Sequence, residues 1–452
     1  MNHHYREGML SDLTAVELAI LLRGRELSSV EVVEHFLERI ASENSGAFVD
    51  VTPASAIERA TALDSRPAAG SLHGMPIADK DLQLRAGART TFGSRAFRDF
   101  IAPENDEVVD ACESAGTVSL GKTASPEFGF AGYTSSLLHG HTTIPGHPGL
   151  GAGGSSGGAA AAVAARLLPF APGSDAAGSI RIPAAACGVV GIKPSRGVAL
   201  PVREGPMGDL PVPGALGRNV ADAWLLLDGL FGGTFETTLR ATADTGRPLR
   251  IGVLRGFHPW RPITDGEPCD EAGAAIAVAA SRLKEAGHVV EDFVGPALQG
   301  YSDAFQTAWH ASAAAMRPTD EQLELFEPLT AHFVRSGRSM PHGDVAAAQN
   351  RLDEFGSCIR DAFAPYDAVI THTTALTPRP VDWFTDDPEV NFRRQCEYAP
   401  HTSFVNVAGL PAVSLPVADL PDGLTMSVQI IGRHAEDRLV VATAAQLERM
   451  SQ

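Results

Sequence analysis

Cysteine is scarce and unpatterned. The chain of 452 residues holds five (Cys112, Cys187, Cys269, Cys358 and Cys396) with no CxxC pair. That argues against a disulfide framework and a zinc knuckle, and fits a reducing compartment. Basic residues are outnumbered: 36 Lys and Arg stand against 54 Asp and Glu, for a formal net charge of −18. Nucleic acid and anionic membrane surfaces are gripped by clustered Lys and Arg. No such cluster occurs, so neither is expected as a partner. Long hydrophobic runs are also missing. The most apolar run, 159–165, is too short and too rich in alanine to span a bilayer. The first ten residues, MNHHYREGML, contain no apolar h-region, so a secretory signal is not expected and a cytoplasmic location is. Internal repeats, charge runs and inter-domain linkers are absent as well.

What is present reads as a soluble globular protein, 44% hydrophobic and 20% charged. Residues 11–40 read as two amphipathic helices. Thr14 with Glu17 and Ser28 with Glu31 supply capping boxes, and Gly24 is the expected C′ stop of the first. A short strand is expected at 75–78, opened by Pro76. A helix follows at 107–115, then a strand at 118–120. Residues 132–154, rich in Gly, Pro, His and Thr, read as loop, leading to a helix from about Ala159 that Ser156 or Gly157 would cap. Strands are expected at 188–192, 249–254, 289–294 and 366–371, with helices at 219–230 and 270–286. Residues 295–363 read as mainly helical and 374–390 as loop, and two strand-like runs precede a closing helix. Helix–strand alternation marks an α/β layer fold, and the unit spanning 249–294 favours a mostly parallel sheet.

The chemistry concentrates in residues 151–183. Two small-residue loops, 153–158 and 174–179, carry Ser155 and Ser179. GAGGSSGG permits a phosphate-binding loop, since glycine-rich turns into helix N-termini present N–H groups to anions. It lacks the Lys-Ser/Thr ending of a Walker A loop, and no GxGxxG follows a convincing strand. A flexible linker is a second reading, weakened by the apolar elements on both sides. In the third, one serine is a nucleophile; the window around Ser155 has the G-x-S-x-G spacing. A serine nucleophile needs a base. The 15 histidines leave a His base open, and Lys80 leaves a Ser–Lys arrangement open, provided that its pKa is lowered.

Several blocks together resemble the amidase signature family: GMPIADKDLQLRAGARTTFGS from Gly74, GKTASPEFG from Gly121, GGSSGG, DAAGSIRIPAAACGVVGIKPSRG from Asp175, AGLPAVSLP from Ala408 and QIIGR from Gln429. They run in family order over about 74–433. The resemblance implies one α/β/α domain with a large twisted mixed β-sheet flanked by helices. Its catalytic core would span 74–200, and a more variable cap and substrate region 235–400. It implies amide hydrolysis by a triad of Lys80 as base, Ser155 in a cis peptide as proton bridge, and Ser179 as nucleophile. The backbone N–H groups of Ala176, Ala177, Gly178 and Ser179 would form the oxyanion hole, with Ser156, Asp175 and Arg181 supporting the loops. Phe128 and Tyr133 are expected to touch substrate; Trp309 and Trp383 are further candidates. The triad needs no cofactor and no metal. The expected partner is a small-molecule amide, and a homodimer is left open.

The chain departs from the family pattern in four places. Ala177 replaces a glycine before the nucleophile, Ala152 replaces a proline, Ile144-Pro145-Gly146-His147 stands where Asn-Pro-Trp-Asn is common, and the later Pro-Thr-x-Pro loop is blurred to THTTALTPRP at 371–380. Alanine at 177 is tolerable only if its φ is negative. Two other functions remain open: an amidotransferase A-type glutaminase subunit working with partner subunits, and a catalytically silent binding or scaffold protein.

Overall fold

The computed structural model describes residues 10–198 and 208–451. Its first helices, Ala15–Arg23 and Ser29–Ala41, both start on fully formed capping boxes at Thr14/Glu17 and Ser28/Glu31. The stop of the first differs from expectation. Gly24 sits at φ −72°, and Arg25, at φ 57°, makes the left-handed turn.

Three strands, β1 (Phe48–Val51), β2 (Pro76–Lys80) and β3 (Val118–Thr123), form a small sheet in the order β1-β3-β2. β2 runs parallel to β3, and β1 antiparallel. Pro76 opens β2 at the sheet edge, where a missing N–H interrupts no ladder. β2 extends past the expected 75–78 and carries Lys80 as its last residue. Residues 132–154, expected as loop, contain two short hairpins: β4 (Ser135–Ser136) with β5 (Gly140–His141), and β6 (Thr143–Ile144) with β7 (His147–Gly151).

The remaining strands build the main sheet: β8 (Phe170–Asp175), β9 (Val190–Lys193), β10 (Val212–Gly217), β11 (Arg250–Arg255), β12 (Val289–Val294), β13 (Ala368–His372), β14 (Ala412–Asp419) and β15 (Thr425–Gly432). Their order is β12-β11-β13-β15-β14-β9-β10-β8. β11 is parallel to both β12 and β13, whereas the other five pairs are antiparallel. The sheet is therefore mixed, and not mostly parallel as the 249–294 unit alone suggested. That unit is parallel because its helix, Asp270–Glu285, crosses over between β11 and β12.

Both faces of the main sheet are buried, and strand alternation decides which residue goes where. Ile370, Val428 and Ile430 join one core with Val163, Leu225 and Val441 of the helices Gly157–Ala164, Val220–Leu230 and Asp437–Arg449. Their neighbours Val369 and Ile431 join a second, aromatic core with Phe305, Phe333 and Phe355. Those rings come from the helices Tyr301–Ala315, Pro328–Arg338 and His342–Phe363. The segment 235–400, expected as a cap, thus also supplies β11, β12 and β13. Among the described residues no helix is long and apolar enough to cross a membrane.

Candidate active site

Lys80 closes β2 with no solvent exposure. Because successive strand residues point to opposite faces, its neighbours Asp79 and Asp81 turn away from it. Asp79 pairs with Arg85 at 2.6 Å, and Asp81 accepts the Thr91 N–H at 3.0 Å. Lys80 Nζ meets Ser155 Oγ at 2.7 Å and Ser174 Oγ at 3.1 Å. Its backbone N–H donates to Gln83 Oε1 at 2.8 Å, which fixes the end of the strand. Burial pushes the amine down to about 7, opposed only by the charge of Asp175. A lysine so placed is substantially neutral at neutral pH, with a lone pair free to accept a proton.

Ser155 follows a cis peptide bond, Gly154–Ser155, and is buried. Gly154 leaves no room for a side chain, since a Cβ there would lie 2.4 Å from the Tyr133 carbonyl oxygen. Ser156 precedes the helix Gly157–Ala164 but does not cap it through its side chain, contrary to expectation. Its hydroxyl points to the Ser174 carbonyl oxygen at 3.4 Å instead, and its N–H donates to the Ser179 carbonyl oxygen at 3.0 Å. The two serine loops are thereby joined to each other.

Asp175 organises the second loop. Strand alternation separates it from Ser174, so that Ser174 faces Lys80 while Asp175 faces Arg181. Both Asp175 and Arg181 are fully buried, and they pair through Nε–Oδ2 at 3.0 Å and Nη2–Oδ1 at 2.9 Å. Burial alone would raise the Asp175 carboxyl, but Arg181 and Lys193 hold it well below the usual carboxylate range. The carboxylate also accepts the N–H groups of Gly178 at 2.7 Å and Ile180 at 3.1 Å. Gly178 N–H, expected in the oxyanion hole, is thus already committed to Asp175. The N–H groups of Ala176, Ala177 and Ser179 make no hydrogen bond among the described residues. Gly178 has φ +124°, and a Cβ there would strike Thr402 Oγ1 at 2.5 Å. Ala177 is not among the positive-φ residues, so alanine replaces glycine there without backbone strain.

Two cavities meet at Ser179 and Gly129. One, of about 70 Å³, is walled by rings that include Trp260, Phe305, Trp309 and Phe392. The other, of about 210 Å³, is lined by Ser155, Ser174, Ala176 and Phe128. No histidine lines either cavity among the described residues, so the serines have a lysine beside them and no imidazole. Phe128 and Trp309 therefore stand where contact was expected. Tyr133 does not: its ring stacks on Phe384 at 4.4 Å and its hydroxyl accepts a hydrogen bond from Asn391 Nδ2 at 3.0 Å, outside both cavities. Trp383 also lies outside them, packed with Ile182 and Tyr398.

Several residues of the site were given no role by the sequence. Ser174 opens the 174–179 loop, but its place beside Lys80 emerges only when β2 is placed against β8. Thr402, 225 positions from its partner, donates to the Ala177 carbonyl oxygen at 2.6 Å. Asn406 and Gln429 complete the shell of Arg181 through Nη2 at 2.6 Å and Nη1 at 2.9 Å. Of these, Ser174 was foreshadowed as the first residue of the 174–179 loop and Gln429 as the first residue of QIIGR.

The Amidase family model matches residues 31–441. A putative amidase of Synechocystis sp. is 31% identical, covering 97% of this chain and 89% of the relative. The A-type subunit of the glutamyl-tRNA(Gln) amidotransferase from Thioalkalivibrio sulfidiphilus is 33% identical, covering 98% of each chain. Among solved structures, a 6-aminohexanoate cyclic dimer hydrolase superimposes with a TM-score of 0.88 at 28% identity, over 98% of this chain and 97% of that one. The chain belongs to the amidase family, with the amidase signature fold, and is an amide-hydrolysing enzyme.

Proposed function

We propose that this enzyme cleaves the C–N bond of a small-molecule carboxamide through an acyl-enzyme on Ser179. Neutral Lys80 accepts the proton of Ser155, which in turn accepts the proton of Ser179, and Ser179 Oγ attacks the amide carbon. The tetrahedral oxyanion is held by the N–H groups of Ala176, Ala177 and Ser179, with Gly178 N–H left to brace the loop through Asp175. As the intermediate collapses, the Ser155 hydroxyl delivers its proton to the departing nitrogen and is reprotonated from Lys80. Water then enters by the same relay and releases the acid. The observation that carries this reading is the 2.7 Å contact between Lys80 Nζ and Ser155 Oγ, in a pocket that lowers the lysine to about 7.

A role as an amidotransferase glutaminase is the second reading, favoured by the relative of that kind. Glutamine, however, brings an α-ammonium and an α-carboxylate. The 70 Å³ cavity has no charged side chain to meet either, and buried unpaired charges are costly. The small-molecule amidase is therefore preferred.

The direct test is mass spectrometry after treatment with a serine-directed phosphonate, together with an amide-hydrolysis assay. The wild type is expected to be labelled on Ser179. Ser179→Ala should lose the label and about 10⁴-fold or more in kcat. Labelling at another residue, or an active Ser179→Ala enzyme, would refute the nucleophile assignment.

A further inference from the structure

The two cavities at Ser179 differ in chemistry as well as in size. Ser155 lines only the larger. If Ser155 returns the proton to the leaving nitrogen, as in the function proposed above and on which this inference rests, that nitrogen must lie within hydrogen-bond reach of Ser155 Oγ. The amine half of the substrate then occupies the 210 Å³ cavity, and the acyl half projects the other way, into the 70 Å³ one. A cavity of about 150 Å³ holds a benzene ring. The acyl side is thus too small for a ring as it stands, because Trp260, Phe305, Trp309 and Phe392 already fill it, whereas the amine side has room for one.

Charge narrows the substrate further. The smaller cavity has no charged lining residue, and the larger has only Asp106. The Asp106 carboxylate is occupied by the N–H groups of Leu84, Val108 and Val109 at 2.9–3.1 Å. An apolar recess of about 430 Å³, with Phe92, Phe97 and Phe326 on its walls, shares Leu82 and Phe128 with the larger cavity and Phe130 with the smaller. A charged group resting in it would be stripped of water with nothing in return.

From the cavity that Ser155 shares with Ser179 we infer that the substrates are uncharged amides of a short acyl group, acetyl- or propionyl-sized, with an aromatic amine half. Ser179 Oγ forms an ester with the short acyl carbon as the C–N bond breaks. The ring-bearing amine leaves carrying the proton from Ser155, and water hydrolyses the ester to the short carboxylic acid.

Two isomeric amides of equal apolar content test the assignment: N-benzylacetamide, with the ring on the amine side, and N-methyl-2-phenylacetamide, with the ring on the acyl side. Both release primary alkylamines, so their intrinsic reactivities are close. The wild-type enzyme is expected to favour N-benzylacetamide by about 10-fold or more in kcat/KM. Phe128→Ala should lower the ratio of N-benzylacetamide to acetamide turnover. Equal turnover of the isomers, or preference for N-methyl-2-phenylacetamide, would overturn the assignment and leave amide hydrolysis standing. Hydrolysis of acetamide but of neither isomer would overturn it too. Failure to hydrolyse any of the three, with no phosphonate label on Ser179, would overturn the amidase mechanism itself.

Discussion

In the proposed mechanism Lys80 is the residue on which the chemistry turns, because its environment holds an amine whose ordinary value is 10.5 down at about 7. Two consequences have definite signs. Protonated Lys80 cannot accept the Ser155 proton, so kcat/KM should rise with pH along an acid limb with an apparent pKa near 7. Lys80→Arg, permanently charged, should be inactive across that range; a wild-type profile flat from pH 6 to about 9 would contradict the assignment. The second consequence is for stability. The unfolded chain binds the lysine proton up to 10.5, whereas the folded one releases it near 7. Stability from this group is therefore fully present above 10.5 and lost as pH falls toward 7. Lys193, fully buried and pushed down by burial to about 7, adds a slope of the same sign.

At the scale of elements, the site depends on how closely backbones approach. The helix Gly157–Ala164 is built of Gly, Ala and one Val, with Gly157–Val163 all buried. Small residues let it press onto the chain carrying Ala47 and Ala124: a Cβ on Gly158 would lie 2.2 Å from Ala124 N and 2.5 Å from Ala47 O. Gly158→Ala should therefore lower stability by about 1–3 kcal/mol despite alanine's better helix propensity, as read by chemical denaturation. An unchanged midpoint would mean that the helix moves freely. Register matters as much in β2. Slipping it by one residue would turn Lys80 to the face of Asp79 and Asp81, and bring a carboxylate to Ser155 instead of an amine. The short apolar run at 75–78, opened by Pro76, shows that β2 exists. Its extension to Lys80, and the matching turn of Ser174, come from pairing with β3 and packing beside β8.

At the scale of the molecule, the proposed substrate chamber is assembled from parts far apart in the chain. Gly129 and Phe130 come from the turn after β3, Ala177 and Ser179 from the loop after β8, and Trp260, Phe305, Trp309 and Phe392 from the 250–400 region. The uncharged chamber leads to an expectation for free glutamine: ammonia release from it should stay at the level of a Ser179→Ala control. Efficient glutamine turnover would favour the amidotransferase reading. The amino-acid sequence alone determined many of the helices and strands, both N-terminal capping boxes, the α/β class, and through its ordered blocks the family and the candidate residues Lys80, Ser155 and Ser179. These are local signals, carried by periodicity, caps and short motifs. The tertiary structure alone decided that Gly178 N–H belongs to Asp175 and that Ala177 is unstrained. It also separated Phe128 and Trp309, which reach the cavities, from Tyr133 and Trp383, which do not. Those outcomes depend on φ angles, burial and contacts between residues up to 258 positions apart, and no local pattern encodes which distant side chain will fill a cavity.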